Sequence, residues 1–145
     1  MRKSEIKSQV KEIINLTESV RKGIDNILEP FNRIYELLTK IETIEEENMI
    51  DTGIDFETTK DDILRNCIEE NTEIEEIFDL FENLISDLQV WQEEVSENKS
   101  EEIQERYIDI LEEIKENFDI ASIECSEDLD NQLFDITTQL EEMEI

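Results

Sequence analysis

The chain has 145 residues, a net charge of -29 and 38% charged residues, a balance that suits a disordered tail unless the chain also carries enough apolar residues to collapse. Isoleucine, leucine, valine and phenylalanine fill 45 of the 145 positions, clearly above the roughly 20% below which a charged chain builds no core. Two glycines and one proline leave almost nothing for hairpins or short strands, so we predict a single all-helical domain over residues 1–145.

A long heptad pattern opens the chain and predicts the first helix, over residues 1–46. Its eleven positions alternate four and three residues apart, and ten are apolar: Ile6, Val10, Ile13, Thr17, Val20, Ile24, Ile27, Phe31, Ile34, Leu38 and Ile41. This spacing is typical of helices that pack lengthwise in a bundle or coiled coil. Because Pro30 removes one backbone hydrogen bond without disturbing the register, we expect a kink or short break near residues 28–29.

The strongly acidic part of the chain, residues 59–145, follows a predicted loop at 47–58, where the periodicity lapses around Gly53. Thr59 is predicted to cap the second helix, whose apolar seam runs to residue 95 with a break at Asn71. A polar interruption at 98–100 precedes a third helix, and Ser126 is predicted to cap the last one. We therefore expect three to four long antiparallel helices in a bundle.

Charge is distributed unevenly. Residues 1–40 contain eight basic and six acidic residues, whereas residues 41–145 contain five basic and 36 acidic ones. One interpretation is that the carboxylates are simply the solvated faces of helices. The other is that they imitate a phosphate backbone, because 29 charges along a 40-residue helix about 60 Å long give roughly one per 2 Å, against about 1.7 Å in duplex DNA.

Carboxylates that lie off the apolar seams are predicted to form an outward acidic face for a basic partner. The predicted face consists of Glu69, Glu73, Glu76, Glu93, Glu94, Glu97, Glu101, Glu102, Glu105, Asp109, Glu112, Glu113 and Glu116. The near-neutral first helix would pack against the acidic helices, or form a homodimer, and so orient this face.

In composition and size the chain resembles the nucleic-acid-mimicking inhibitors that phages and mobile elements use against restriction enzymes and CRISPR nucleases. Such proteins share charge and no motif, so the resemblance assigns no residue. It implies a non-enzymatic inhibitor that blocks a basic nucleic-acid-binding protein, such as a nuclease of a bacterial defence system. We expect it to bind neither nucleic acid nor a membrane directly. The alternative is a non-catalytic helical adaptor, scaffold or immunity-type protein.

Catalytic and metal sites have little support in the sequence. The chain has no histidine, which removes the commonest general base and the imidazole metal ligand. Cys67 and Cys125 form no CxxC pair, and we expect them to be buried, reduced thiols. We predict no catalytic residue, no metal and no cofactor. With no run of about 18 apolar residues and a charged N-terminus, the expected location is cytoplasmic.

One enzymatic alternative remains open. Residues 69–73, with the sequence EENTE, resemble the EExxE motif of the all-helical, magnesium-dependent nucleotide pyrophosphatases of the MazG-like type, and residues 116–119 fit the ExxD that follows it. That resemblance implies carboxylates that hold magnesium against a triphosphate. Because acidic residues are so dense here, such patterns arise easily by chance, and this alternative ranks last.

Overall fold

A computed structural model describes residues 3–94 and 99–144, with side chains outside 91–104. Within these ranges the chain is all-helical, with no strand. The helices are α1 (Lys3–Lys22), α2 (Ile24–Ile27), α3 (Glu29–Asn48), α4 (Phe56–Glu69), α5 (Thr72–Glu94), α6 (Lys99–Asn117) and α7 (Ser126–Glu141), with a 3-10 turn at Ile120–Ser122. Over the residues described, no helix is both long and apolar enough to cross a membrane.

Helices α1, α5, α6 and α7 form a bundle. Helix α1 packs against α5 and α7, and α6 packs against the same two helices, so α1 and α6 lie diagonally across the bundle. Aliphatic side chains at three- and four-residue intervals fill the interior, joined by Phe81 of α5. Thr17 occupies a seam position of α1 and is buried, and its hydroxyl donates to the carbonyl oxygen of Ile13 at 2.8 Å. This bond satisfies the buried hydroxyl within its own helix.

The predicted first helix is divided into three. A break is observed at Leu28, near where Pro30 predicted one, and Pro30 lies in the first turn of α3, where its missing N–H breaks no bond. Gly23 introduces a second break, between α1 and α2, that was not predicted. The sequence pattern does not reveal the break at Gly23, because Ile24 and Leu28 keep the apolar spacing of the helix and are both buried.

Helices α3 and α4 form a hairpin beside the bundle, because α3 packs mainly against α4. Leu38 is buried between the two helices. Ile34 and Ile41, which the heptad pattern placed in the core, are instead 37% and 36% exposed. The prediction that the first helix resumes along the same bundle seam after the break was therefore wrong for this segment, since the chain changes direction before Ile34.

The loop between α3 and α4 is shorter than predicted, covering residues 49–55. Met49 ends α3 in the left-handed conformation, with a φ of 54°. Asp55, not Thr59, caps α4: its carboxylate accepts a hydrogen bond from the backbone N–H of Thr58 at 3.1 Å. This backbone bond, followed by the one from the Thr58 hydroxyl, lowers the pKa of the Asp55 carboxyl. Thr59 lies within the first turn.

The predicted break at Asn71 is confirmed. Helix α4 ends at Glu69, and the Asn71 side-chain oxygen accepts a hydrogen bond from the N–H of Ile74 at 2.9 Å. An asparagine in this position satisfies one of the free N–H groups at the start of α5.

Asn71→Ala is expected to destabilise the protein by about 1 kcal/mol through loss of this capping bond, which lowers the melting temperature by roughly 2–8 °C. Asn83→Ala is the matched control, because Asn83 is exposed in the middle of α5, where alanine is the better helix former. Thermal unfolding of the two variants measures the difference. Equal melting temperatures would show that the Asn71 cap contributes nothing.

The C-terminal elements differ from prediction in detail. Helix α6 begins at Lys99, and the predicted interruption at 98–100 falls partly on residues outside the described ranges. Ser126 is the first residue of α7 and not its cap, a position taken by Cys125 without a side-chain hydrogen bond. Both cysteines are free, but Cys125 is exposed and Cys67 half-buried, so the expectation of two buried thiols was wrong.

Candidate functional site: an acidic helix face

Four carboxylates of α6 form a row on the side opposite the core. The core side of α6 carries Tyr107, Leu111 and Ile114, all buried. The exposed carboxylates follow one another at intervals of four, three and four residues, which aligns them on one face over about 16 Å of helix. This α6 row consists of Glu105, Asp109, Glu112 and Glu116.

Helix α5 runs antiparallel beside α6 and adds further negative charge. The ring centroids of Phe78 and Phe118 lie 5.0 Å apart, and the ammonium of Lys115 lies 2.8 Å from the carboxylate of Glu82. These contacts join the start of α5 to the end of α6. In sequence α5 carries eight acidic residues and no basic one, and the side chains of Glu76 and Asp79 are exposed. The surface is therefore acidic across two neighbouring helices.

The structure separates some of the predicted face residues and aligns others. Glu69 ends α4 whereas Glu73 and Glu76 begin α5, so these three do not form one ridge. Glu113 is exposed on the flank of α6 and, with Glu142, lines a shallow cleft between α6 and α7. The side chains of Glu93, Glu94, Glu101 and Glu102, and the whole of Glu97, lie outside the described part of the chain.

Asp79 is an exposed α5 carboxylate that sequence reasoning did not select. It follows Glu76 by three residues and precedes Glu82 by three, so all three lie at helical spacing on the side of α5 away from its buried seam. The signal was present in the sequence. The seam residues Ile77 and Phe81 flank Asp79 and would have identified it.

Helix α1 places positive charge on the other side of the bundle. Its Arg21 guanidinium donates two hydrogen bonds to the Asp130 carboxylate of α7, at 2.9 and 3.3 Å, and lies 4.7 Å from the ring centroid of Phe134. The hydrogen bond to Asp130 raises the pKa of Arg21. Because α1 lies diagonally opposite α6, the α6 row faces away from the helix that holds more basic residues than any other described helix, five of the 13 in the chain.

The EExxE pattern is divided between two helices. Glu69 is the last residue of α4, Glu70 follows it, and Glu73 lies in the first turn of α5 beyond the break at Asn71. Within the described residues, no group of three or more acidic, cysteine or histidine side chains is placed to hold a metal ion. Comparison of the chain with protein-family models, curated proteins and solved structures finds no match.

The excess of carboxylates predicts that salt stabilises the fold. The net charge is -29, and 42 acidic residues against 13 basic ones leave most carboxylates without a cation of their own. Because the screening length falls from about 10 Å at 0.1 M salt to about 3 Å at 1 M, repulsion between carboxylates weakens as salt is added.

The melting temperature is expected to rise by several degrees between low salt and about 0.5 M sodium chloride, as measured by circular dichroism. A variant in which the α6 row is neutralised should show a smaller rise, because it has less repulsion to screen. An unchanged melting temperature in the unsubstituted protein would contradict this electrostatic picture.

Proposed function

We propose that this chain is a non-catalytic acidic inhibitor that binds a basic nucleic-acid-binding protein and occupies the surface that otherwise holds nucleic acid. A nuclease of a bacterial defence system is the partner we favour, in the manner of the anti-restriction and anti-CRISPR inhibitors of phages, and the cytoplasm is where the two would meet. The observation that supports this proposal is the α6 row, an aligned and exposed set of carboxylates turned away from the basic helix.

The spacing of these charges suits a surface built for phosphates. Intervals of three and four residues separate neighbouring carboxylates of the α6 row by about 4.5 and 6 Å along the axis, whereas phosphates of one DNA strand repeat about every 3.4 Å. Packed helices lie 8–10 Å apart, so the carboxylates of α5 add a second line of charge beside the first. Taken together, the two lines approach the density of a single nucleic-acid strand.

The mechanism is competition by occupancy. Lysine and arginine side chains that hold phosphates would instead pair with the α6 row, and each such exposed pair contributes about 0.2–1 kcal/mol. The affinity for the partner comes from the number of ion pairs formed at the same time. Because salt screens each of these pairs, the affinity should fall steeply as the salt concentration rises. Because no bond is made or broken, the chain needs neither a catalytic residue nor a cofactor for this role.

The alternative, a helical adaptor or scaffold, is favoured by a different observation, the exposed apolar side chains of α3 and the loop after it. An adaptor would assemble through that apolar surface and would be indifferent to nucleic acid. The magnesium-dependent pyrophosphatase alternative has no comparable support, because its motif is split by the break at Asn71.

A pull-down from lysates of the source organism and its hosts tests the proposal. The immobilised chain is washed at rising salt, and a parallel sample receives excess duplex DNA. A nucleic-acid-binding protein that is released both by salt and by DNA is the expected result. Recovery of proteins that resist both treatments would favour the adaptor and contradict the proposed competition.

A further inference from the structure

Helix α3 carries an apolar stripe that no described part of the chain covers. Its buried side chains, Phe31 and Leu38, face inward, and its contacts are made chiefly with α4 and with α2. A second set of apolar residues lies on the adjoining face and is 36–57% exposed. This α3 stripe consists of Ile34, Leu37, Ile41 and Ile44.

The stripe has the spacing of a coiled-coil seam. Intervals of three, four and three residues place its members at successive a and d positions of a heptad. The surface continues past the helix end, where Met49, Ile50 and Ile54 are 97%, 54% and 40% exposed. Stripe and tip together expose the equivalent of about four whole apolar side chains, and apolar patches of such size mark interaction surfaces.

The charge around the α3 stripe indicates which partner could cover it. Residues 29–41 hold two acidic and two basic side chains, a net charge of zero in a chain of net charge -29. Their charges are paired within the helix, Arg33 with Glu29 at 2.5 Å and Lys40 with Glu36 at 3.8 Å. A second, equally acidic copy could approach residues 29–41 without meeting uncompensated carboxylates, whereas Glu45, Glu46 and Glu47 at the other end of the stripe would need a basic side chain opposite them.

We propose that the α3 stripe is a homodimer interface, in which two copies of α3 pair antiparallel about a two-fold axis level with Thr39. Ile34 then packs against Ile44 of the second copy, and Leu37 against Ile41 of the second copy. Both copies bury the same residues, as a two-fold axis requires. The two stripes together contribute eight side chains, well below the roughly 20–30 residues a side of a standard interface, so we expect the dimer to be weak.

The charges at the two ends of α3 favour antiparallel pairing. Arg33 lies beside one end of the stripe, and Glu45, Glu46 and Glu47 lie beside the other. A parallel pair would put both acidic ends side by side. The antiparallel pair instead brings Arg33 of each copy to Glu47 of the other, at the flanking positions where charges set coiled-coil orientation. Lys40 of both copies lies near the axis, each already paired with its own Glu36.

Multi-angle light scattering and sedimentation equilibrium test the dimer on the full chain. We expect a species of twice 17.2 kDa at about 100 µM protein, more populated in 0.5 M salt than in low salt because repulsion between the bundles is screened. Leu37→Glu should raise the dimer dissociation constant about 100-fold or more, since it removes a buried leucine and adds a carboxylate in both copies.

Val90→Glu is the matched control. Val90 of α5 is 53% exposed against 57% for Leu37, and the substitution adds the same charge outside the stripe. Circular dichroism establishes that both variants fold. A monomer at every salt concentration, with the stripe left to a different partner, would overturn the proposal. So would equal dissociation constants for the Leu37→Glu and Val90→Glu variants.

A charge exchange tests the orientation. Arg33→Glu and Glu47→Arg should each weaken the dimer several-fold, because each places like charges opposite one another. The double variant should regain most of the lost affinity, since the pair is re-formed with its signs reversed. A double variant as weak as either single variant would overturn the antiparallel arrangement.

Discussion

Phe81→Ala is expected to lower the free energy of unfolding by about 3–5 kcal/mol, which is the usual cost of removing a buried phenylalanine ring. Phe81 has no exposed surface and belongs to the core cluster that unites all four bundle helices. Part of the cost is the lost transfer of the ring from water, and the rest is the cavity left where α5 cannot collapse against its neighbours. Since domains unfold at about 5–15 kcal/mol, this variant keeps little stability.

Phe134→Ala is the control for Phe81→Ala, because it makes the same chemical change on the surface. Phe134 is 50% exposed on α7, and its main specific contact is the Arg21 guanidinium 4.7 Å above the ring. Losing that contact costs about 0.5–1 kcal/mol. Urea unfolding in 0.5 M salt, where charge repulsion is screened, measures the loss of stability in both variants. A Phe134 effect as large as that of Phe81 would contradict the assigned core.

Neutralising the α6 row is expected to weaken binding to the partner by about 10- to 100-fold. The variant carries Glu105→Gln, Asp109→Asn, Glu112→Gln and Glu116→Gln. It keeps the shape of the helix and removes four charges. Four exposed ion pairs at about 0.2–1 kcal/mol each account for a loss of this size. Isothermal titration against the protein captured from lysate measures it, and the dependence of affinity on salt should also become shallower.

A second variant with the same change in net charge controls for non-specific electrostatics. It carries Glu12→Gln, Glu18→Gln, Asp25→Asn and Glu57→Gln, all at exposed positions outside α5 and α6. If the position of the neutralised carboxylates matters, the affinity of this variant for the partner falls only a few-fold. If the two quadruple variants bind equally weakly, net charge alone drives the interaction, and the α6 row is not the site.

The all-helical fold could be predicted because apolar spacing, scarce glycine and dense charge all favour helices. Asn71 was visible as a break because its side chain can cap the helix that follows. The break at Gly23 was not visible, since Ile24 and Leu28 keep the heptad register through it. Periodicity reports which face of a helix is apolar, but it does not report where the chain changes direction.

The same limit explains the misassigned residues of α3. Ile34 and Ile41 fit the seam as well as Leu38 does, and only the packing of α3 against α4 shows which of them is covered. The α6 row was easier to predict, because four carboxylates at intervals of three and four share a face wherever the helix lies. Its position diagonally opposite α1 depends on the bundle order, which the sequence does not state.

Competition for one surface is the central claim, and displacement of nucleic acid tests it most directly. Labelled duplex DNA bound to the captured protein is titrated with this chain while fluorescence anisotropy is recorded. The account predicts that anisotropy falls to the value of free DNA, and that the α6-row variant requires about 10- to 100-fold more protein to displace it. If the chain bound without releasing DNA, and anisotropy rose as a ternary complex formed, occupancy of the nucleic-acid surface would be contradicted.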